Sequence, residues 1–505
     1  MRGPERRGLW IGLAGAAWLL LATAAATREL DLAQLGAYRR LWSDLAVGID
    51  TYLDARHPLP EAEPPRYSTA DGLDADQACR RWVVLRVRAE GIRPWQFWRT
   101  LPARGFLRER LEPVPKPYDD HGRGRLLGLA FQATGGIAPF LIAWLGALCC
   151  APVLAWTAWE LSRAGYAIAG AVFVALLGLS SYFVEALALT RYPVGFYLIG
   201  VALAVPLATY AALRPNPSAR GLGARALLAA AAFAGAAACR SSVGLLLPAF
   251  LLAIVVGARR VLPAGRRRAT LAAALAAAFL LPYPLMKRSQ QNDVWQPLWE
   301  GLGDFDREKG HAWSDAAARE ALRLAGGEKL WTTRSESFFR DEVLRHVRQD
   351  PLWYAAILWR RLGGALSQAK LAPWTPRDGV FLAPSTTANE GVMDKYYTYV
   401  ATADFFGLGA AQVELPIAVL LIPLPALAAL AVLRRRCRPA LLVVGSVAVG
   451  ALPLPVLITT AGGQEPQALV LAYLLSAAFL ADEAFTWRAT SESGPARRAA
   501  SPPST

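Results

Sequence analysis

Two carboxylates stand directly beyond the first long apolar run of the chain. That run ends near Ala26, and Glu29 and Asp31 follow it within five residues. A residue this close to a membrane-length segment is held at a fixed depth, whereas a residue on a free loop is not. A carboxylate held there, partly desolvated, can act as a general base on an acceptor hydroxyl. As a pair of acids alone, however, they favour the plainer interpretation that they only end the apolar run.

A denser polar cluster precedes the second apolar run. The stretch "PYDDHGRGRLL" holds Asp119, Asp120 and His121 in consecutive positions. Neighbouring carboxylates beside a histidine suit a divalent metal or the hydroxyls of a sugar. The alternative is a polar turn before a helix, because Asp is favoured near helix N-termini. The sequence leaves both interpretations open.

The composition of the chain indicates a membrane protein. Its 505 residues are 54% hydrophobic, and the mean hydropathy is +0.28. Apolar runs of about 17–25 residues recur, which is the length that crosses the hydrocarbon as a helix. The net charge of +15 lies largely in short Arg-rich segments between those runs. This distribution of charge therefore indicates how the chain is oriented in the membrane rather than nucleic-acid binding.

The cysteines of the chain indicate no cross-linked or zinc-bound framework. Of the five cysteines only Cys79 lies in a long polar segment, so no disulfide framework is expected. The sequence also contains no CxxC pair that would suggest a zinc site.

We predict an all-α polytopic membrane protein with about ten transmembrane helices and two α-rich extracytoplasmic segments. The predicted spans are roughly 9–26, 137–160, 166–188, 193–213, 225–239, 243–258, 269–286, 416–433, 440–460 and 466–486. With the N-terminus inside, every short Arg-rich loop is cytoplasmic, and the turns "TRYP", "CRSS" and "AGGQEP" are outside. The expected location is the inner membrane, with both termini cytoplasmic and the large loops periplasmic or extracellular. The first span is longer than a signal-peptide core and is expected to be an uncleaved anchor.

The domain boundaries follow from these spans. Residues 1–286 form a transmembrane module whose first outer loop covers about 27–136. That loop opens with an amphipathic stretch at 32–56, which is predicted to lie in the membrane interface with its apolar face down. Residues 287–415 are expected to form an extracytoplasmic helical cap, and 416–487 the C-terminal transmembrane helices. Residues 488–505 have the composition of a disordered cytoplasmic tail.

Two arginines stand at the outer edge of the membrane, against the positive-inside bias. Arg240 follows an Ala-rich run and precedes "SSVGLLLPAFLL", and Arg191 lies in the turn "TRYP". An ionisable residue at a membrane edge is a candidate functional residue. The planar guanidinium also suits phosphate oxygens, which it binds in a bidentate fork. For Arg191 the alternative is a structural ion pair with Glu185, whereas Arg240 has no acid near it in sequence.

Together these features resemble the GT-C superfamily of membrane glycosyltransferases. The resemblance rests on an N-in span, a large outer loop opening with acids and an amphipathic helix, and a basic residue after the fifth span. The stretch "GLAFQATGGIAPFLIAWLGAL" also resembles the way that the superfamily begins its second span. The resemblance implies that Asp31 or Glu29 is the catalytic base. It also implies that Arg240, with Arg191 as a weaker candidate, contacts the phosphate of a polyprenyl-phosphate-linked sugar donor.

The chain departs from the commonest pattern of that superfamily at two points. Its acids read Glu-Leu-Asp rather than an adjacent pair, and "YDDHGRGRLL" replaces a His-Pro-Pro-like stretch. The base could therefore lie in the Asp119–Asp120 pair instead, and otherwise Asp119, Asp120 and His121 are expected to contact substrate. No cofactor follows from the sequence, and a divalent metal remains an open alternative.

The function expected from the resemblance is transfer of a hexosyl or pentosyl group to a glycan, lipid or protein acceptor on the outer face of the inner membrane. Membrane lipids are expected partners and nucleic acid is not. Two other classes compete: a transporter or flippase of a lipid-linked saccharide, and a non-catalytic envelope assembly protein. Transporters usually bind their substrate at the midplane with broken helices, whereas the ionisable residues here lie at the outer edge.

Overall fold

The computed structural model describes residues 3–28, 44–45, 47–49, 51–52, 75–101, 122–179, 181–188, 194–280, 294–303, 309, 311, 315–327, 330, 332–367, 398–403, 411–416, 422–458 and 468–492. Several residues that the sequence analysis singles out lie outside these ranges: Glu29, Asp31, Asp119, Asp120, His121 and Arg191. The arginine at position 240 lies within them.

The described chain is predominantly helical. In chain order its helices are α1 (Gly3–Thr27), α2 (Ala75–Ala89), α3 (Gly122–Thr134), α4 (Leu141–Arg163), α5 (Ala167–Leu179), α6 (Ser181–Ala188), α7 (Val194–Ala212), α8 (Ala219–Cys239), a 3-10 helix (Ser241–Leu246), α9 (Leu247–Val261), α10 (Arg266–Leu280), α11 (Trp295–Gly301), α12 (Asp315–Leu324), α13 (Thr333–Gln349), α14 (Pro351–Ser367), α15 (Pro423–Leu433), a short 3-10 turn (Arg435–Cys437), α16 (Arg438–Ala451), α17 (Pro453–Leu457) and α18 (Leu469–Glu492). Strands β1 (Thr398–Ala403) and β2 (Ala411–Pro416) pair antiparallel, with Thr398 opposite Pro416. The helical class predicted from the sequence is confirmed, and this hairpin is added to it.

Seven stretches of the described chain are helical, long and apolar enough to cross a membrane: Arg6–Thr27, Leu141–Arg163, Gly195–Ala212, Ala219–Cys239, Ser241–Val261, Arg435–Leu457 and Leu469–Arg488. They support the predicted class of membrane protein. Three of the ten predicted spans have no such helix among the described residues. The span predicted at 166–188 is described as α5 and α6, with residue 180 between them outside the described ranges, and the described parts of α10 and α15 are 15 and 11 residues long.

Helix α7 lies at the centre of the bundle. It is apolar on every side, and every residue from Gly195 to Ala212 is buried. A helix without a polar face must be surrounded by protein or lipid. Here α4, α6, α8, α9 and α16 surround it.

Small residues set the packing of α1 against its neighbours. A Cβ added to Gly8 would lie 2.7 Å from the Cβ of Ser162, and one on Gly12 would lie 2.6 Å from the carbonyl oxygen of Ala155. As the residue number rises along α1 it falls along α4, so the two helices are antiparallel. Close backbone approach through small residues stabilises helix pairs in lipid, where apolar burial alone contributes little.

The Arg-rich segments meet at one end of the bundle. Arg214 donates from Nη1 to the carbonyl oxygen of Arg163 at 2.9 Å, and Arg260 donates from Nη2 to that of Arg214 at 2.8 Å. The hydroxyl of Tyr166 donates to the carbonyl oxygen of Arg436 at 3.3 Å. Loops far apart in sequence thus gather at the same end, as a positive-inside topology requires. We call this the Arg-rich end, and the opposite end the cap end.

Helices α11–α14 enclose a second hydrophobic core, separate from that of the bundle. Its buried members are Trp299, Leu302, Ala318, Leu322, Leu330, Phe339, Val343 and Ile357. A capping box between Thr332 and Ser335 begins α13, which satisfies backbone N–H groups at its first turn. We call α11–α14 the cap helices.

A buried histidine makes the stability of the cap helices sensitive to pH. His311 is 2% exposed, its ring lies 4.7 Å from that of His346, and neither of its ring nitrogens has a hydrogen-bond partner among the described residues. The pKa of His311 is lowered from 6.5 to about 4, and burial is the largest cause. His346, Arg345 and Lys309 contribute to this lowering, and Glu342 opposes it.

The folded cap therefore binds fewer protons than the unfolded chain between these two pKa values. We expect its stability to be complete above pH 6.5 and to fall toward pH 4, by up to about 1.4 kcal/mol per pH unit. Thermal unfolding of the purified protein across this pH range measures the effect. The variant His311→Phe should lose less stability than the wild type between pH 6.5 and pH 4. An equal loss in the variant would contradict the assignment to His311.

Candidate functional site at the cap end

Arg240 occupies a break between two membrane-length helical stretches. Its backbone is extended, with φ −147° and ψ 109°, and its N–H donates to the carbonyl oxygen of Ala236 at 2.9 Å. Helix α8 ends immediately before it, and the 3-10 helix begins immediately after it. The side chain is half-buried. A cation is thus fixed by helix ends on both sides, at the cap end of the bundle.

The start of α3 lies against the last turn of α8. Gly122 is the first residue of α3 and directly follows His121 in sequence. A Cβ added to Gly122 would lie 2.1 Å from the carbonyl oxygen of Ala238 and 2.7 Å from the backbone nitrogen of Cys239. No side chain fits between these backbones without a shift of one of them. Gly122 therefore permits a contact one or two residues away from Arg240.

A buried ion pair fixes α3 to the helical residues between 44 and 52. Arg123 donates from Nε to Oδ2 of Asp44 at 2.6 Å, and its Nη2 contacts the same oxygen. The two residues are 5% and 3% exposed. Charges so well removed from water persist only when they are paired. The pair therefore determines how the N-terminus of α3 sits beside the helical residues between 44 and 52.

Glycines allow those helical residues to cross α3 closely. A Cβ on Gly124 would lie 2.7 Å from the Cβ of Val47, and one on Gly128 would lie 2.5 Å from the Cβ of Thr51. Leu45 and Ile49 are fully buried. The amphipathic stretch was predicted to lie on lipid, but the described part of its apolar face packs on α3 instead. The glycine spacing is the reason, because Gly-xxx-Gly favours another helix as the partner.

The cap helices join the bundle beside the same break. Arg361 of α14 is 0% exposed and donates from Nη1 to the carbonyl oxygen of Leu457 at 2.9 Å, at the end of α17. A Cβ added to Gly301 would lie 1.9 Å from the carbonyl oxygen of Ile458, the residue just beyond α17. Helix α17 also contacts the 3-10 helix that follows Arg240. The turn at Arg240 is therefore flanked by α3 on one side and by the cap attachment on another.

Changing Gly122 to Ala tests the contact between α3 and α8. We expect the added methyl group to push the helices apart and to lower stability by about 1–3 kcal/mol, because its nearest neighbours are backbone atoms. Gly235→Ala is the matched control, since a Cβ there meets nothing within 4 Å and Ala favours a helix interior. Melting temperatures in one detergent measure both. Equal melting temperatures would show that the contact is absent.

The described residue next in sequence to one of the two predicted acidic clusters touches the helix that ends before Arg240. The Asp119–His121 segment lies outside the described residues but is bonded to Gly122, which touches α8. Helix α1, which precedes Glu29 and Asp31, packs against α4, α5 and α6, whereas α8 packs against α3, α7, α9 and α10. Arg191 falls between α6 and α7, outside the described residues.

Sequence reasoning missed the residues that assemble this region, namely Asp44, Gly122, Arg123 and Arg361. The glycines at 122, 124 and 128 were the available signal for close packing of α3. Within the described ranges, no group of three His, Cys, Asp or Glu side chains could hold a metal ion. The Asp119 cluster, which the sequence offers as a metal or sugar site, is outside those ranges.

Chemically, the described region offers a guanidinium fixed between two membrane-length helical stretches. Such a guanidinium can bind a phosphate of a membrane-embedded ligand through paired donors. The surrounding helices exclude water on the bundle side, which strengthens charge interactions there. No known protein family, curated protein or solved structure matches this chain.

Proposed function

We propose that the protein is a membrane glycosyltransferase that moves a sugar from a polyprenyl-phosphate donor to a glycan, lipid or protein acceptor. The observation that carries the proposal is the contact of Gly122 with the last turn of α8. It places Gly122, which follows the acid-bearing segment in sequence, beside the helix that ends before the arginine suited to a lipid-linked phosphate. The Arg-rich end is assigned to the cytoplasm by the positive-inside rule, so the reaction belongs to the outer face of the inner membrane.

Covalent geometry limits how far the acids can be from this contact. Asp119 precedes Gly122 by three residues, and an extended chain covers at most about 3.6 Å per residue. The backbone of the Asp119–Asp120 pair is thus within about 11 Å of Gly122. Glu29 and Asp31 follow α1, which packs against α4, α5 and α6. We therefore favour Asp119 or Asp120 as the base and keep Asp31 and Glu29 as the second candidates, with His121 in contact with substrate.

The reaction assigns complementary roles to the two charges. The carboxylate accepts the proton of the acceptor hydroxyl as its oxygen attacks the anomeric carbon. The bond from that carbon to the phosphate oxygen breaks, and the electron pair leaves with the lipid phosphate. Arg240 offsets the charge that develops on the leaving phosphate. A single displacement of this kind inverts the configuration at the anomeric carbon.

The form of α7 favours this function over a transporter. Transporters usually place broken helices and charged groups at the bilayer midplane. Helix α7 instead runs continuously from Val194 to Ala212 through the centre of the bundle and contains no ionisable side chain other than Tyr197 and Tyr210. A flux assay in proteoliposomes separates the two functions, because only a transporter moves a lipid-linked saccharide without a chemical step.

Substitution of Arg240 tests the phosphate contact. Lys keeps the charge but loses the planar fork, so Arg240→Lys should weaken donor binding only in part. Arg240→Ala removes both and should weaken binding by about tenfold or more, because a charge-assisted hydrogen bond contributes about 1.5–3 kcal/mol. The measurement is the affinity of the purified variants for a panel of labelled polyprenyl-phosphate sugars.

The control for this series is Arg267→Ala, which removes an exposed arginine at the Arg-rich end. It should leave donor affinity unchanged. Melting temperatures identify any variant that has lost its fold. If the folded Arg240→Ala variant binds the donors as tightly as the wild type, Arg240 does not belong to the site.

A further inference from the structure

The exposed side of α14 is apolar. Leu352 is 82% exposed and Trp359, two turns further along the helix, is 75% exposed. Ala356 and Gly363 are exposed on the same side, because residues at this spacing lie one above another on a helix. Arg360 is the one charged residue among those of α14 that the structure describes as exposed. A helix side that faces water normally carries polar and charged residues, and this side does not.

The neighbouring helix of the cap has the opposite character. The residues of α13 that the structure describes as exposed are all polar: Thr333, Arg334, Arg340, Asp341, Arg345, Arg348 and Gln349. Helices α13 and α14 pack against each other around the same hydrophobic core. The apolar exposed side is therefore a property of α14 and not of the cap helices as a whole.

Helix α14 leads from the core of the cap helices into the core of the bundle. Its Ile357 is buried in the first of these cores, and its Ala365 is buried in the second. Between them, Arg361 donates to the carbonyl oxygen of Leu457, the last residue of a membrane-length stretch. Trp359 precedes Arg361 by two residues, which is about 3 Å along the helix axis. Trp359 therefore lies close to the depth at which that stretch ends.

The membrane-length stretch Arg435–Leu457 exposes apolar side chains up to its end. Leu442 is 48% exposed, and Val449 and Leu457 are each 41% exposed. Side chains of this kind suit contact with lipid acyl chains rather than with water. Because Leu457 accepts the hydrogen bond from Arg361, this apolar surface adjoins α14.

We propose that α14 lies on the membrane at the cap end, with its exposed side in the boundary between lipid headgroups and acyl chains. Its axis runs close to the membrane plane, so that Leu352 and Trp359 both enter this boundary. Tryptophan is enriched at that depth, and an amphipathic helix binds a bilayer through its apolar face. A lipid surface fits better than a soluble partner protein, because the apolar side adjoins the end of a membrane-length stretch. This contact holds the cap helices against the bilayer and is independent of the proposed transfer reaction.

A photoreactive lipid tests the contact with the full-length protein. The protein is placed in nanodiscs of phosphatidylcholine, a fraction of which carries a diazirine on its acyl chain, and mass spectrometry identifies the labelled peptides after irradiation. We expect label on α14 as well as on α16, whose Leu442 and Val449 are exposed, and none on α13. Leu352→Glu/Trp359→Glu should lower the labelling of α14 about tenfold or more, because the boundary then gains two charges in place of two large apolar side chains.

The matched control is Thr333→Glu/Gln349→Glu, which adds the same two charges at exposed positions of α13. It should leave the labelling of α14 unchanged, and melting temperatures identify any variant that has lost its fold. Absence of label from α14 in the wild type, while α16 is labelled, would overturn the proposal without recourse to the variants. Undiminished labelling of the folded Leu352→Glu/Trp359→Glu protein would overturn it as well. A particle with the mass of two copies, whose α14 carries no label, would assign this side to a second copy of the chain instead.

Discussion

Replacing Asp44 with Ala is expected to lower the free energy of unfolding by about 3–5 kcal/mol. The change leaves the guanidinium of Arg123 buried without its carboxylate partner, at 5% exposure. An isolated buried charge costs more than the ion pair contributes, because it has lost its water as well as its partner. The effect should centre on α3 and the helical residues between 44 and 52. Equilibrium unfolding in detergent measures the loss, and hydrogen exchange locates it.

Two controls separate burial of the charge from the loss of any carboxylate. Asp341→Ala removes an acid from an exposed pair with Arg340 and should cost at most about 1 kcal/mol. Asp44→Leu/Arg123→Met removes both charges and should recover most of the stability, since apolar residues can replace a buried pair. The ion pair has no special role if Asp44→Ala destabilises no more than Asp341→Ala does.

Replacing Arg361 with Ala is expected to detach the cap helices from the bundle. This side chain is among the largest that are fully buried, and its guanidinium donates to the carbonyl oxygens of Val456 and Leu457. Each hydrogen bond from a charged donor contributes about 1.5–3 kcal/mol, so a loss of about 3 kcal/mol or more is expected. Removal of the side chain also leaves a cavity between α14 and α17.

Hydrogen exchange measured by mass spectrometry reports this change. Amides of α14 and α17 should exchange faster in Arg361→Ala, while those of α4 should not change. Arg360→Ala is the matched control, because the neighbouring arginine of α14 is exposed. Unchanged protection of α17 in Arg361→Ala would show that the cap is attached in another way.

The class of helical membrane protein could be predicted from the sequence because its signals are local. Membrane-length apolar runs and Arg-rich loops are sums over neighbouring residues, and the structure gathers those loops at one end. The count of about ten spans stays a prediction, because 166–188, 269–286 and 416–433 are each described only in part.

The contacts that assemble the candidate site could not be predicted in the same way. Asp44 and Arg123 are 79 residues apart, and Arg361 reaches carbonyl groups 95 and 96 residues further along the chain. A buried ion pair leaves no periodic signal, and each residue alone has the features of an ordinary solvated charge. Gly122 is informative only once α8 is known to lie beside it, because a glycine before a helix is common in turns.

The most direct test of the proposed function is a transfer assay with the purified protein, labelled polyprenyl-phosphate sugars and candidate acceptors. The wild type should move label from at least one donor to an acceptor. Asp119→Asn/Asp120→Asn should lower the rate by about a hundredfold or more while donor affinity remains, because general-base catalysis contributes about 10²–10⁴-fold. Glu29→Gln/Asp31→Asn is the matched comparison, and a larger loss there would move the base to that pair. Absence of transfer from every donor by a protein whose melting temperature shows it to be folded would contradict the proposed function itself.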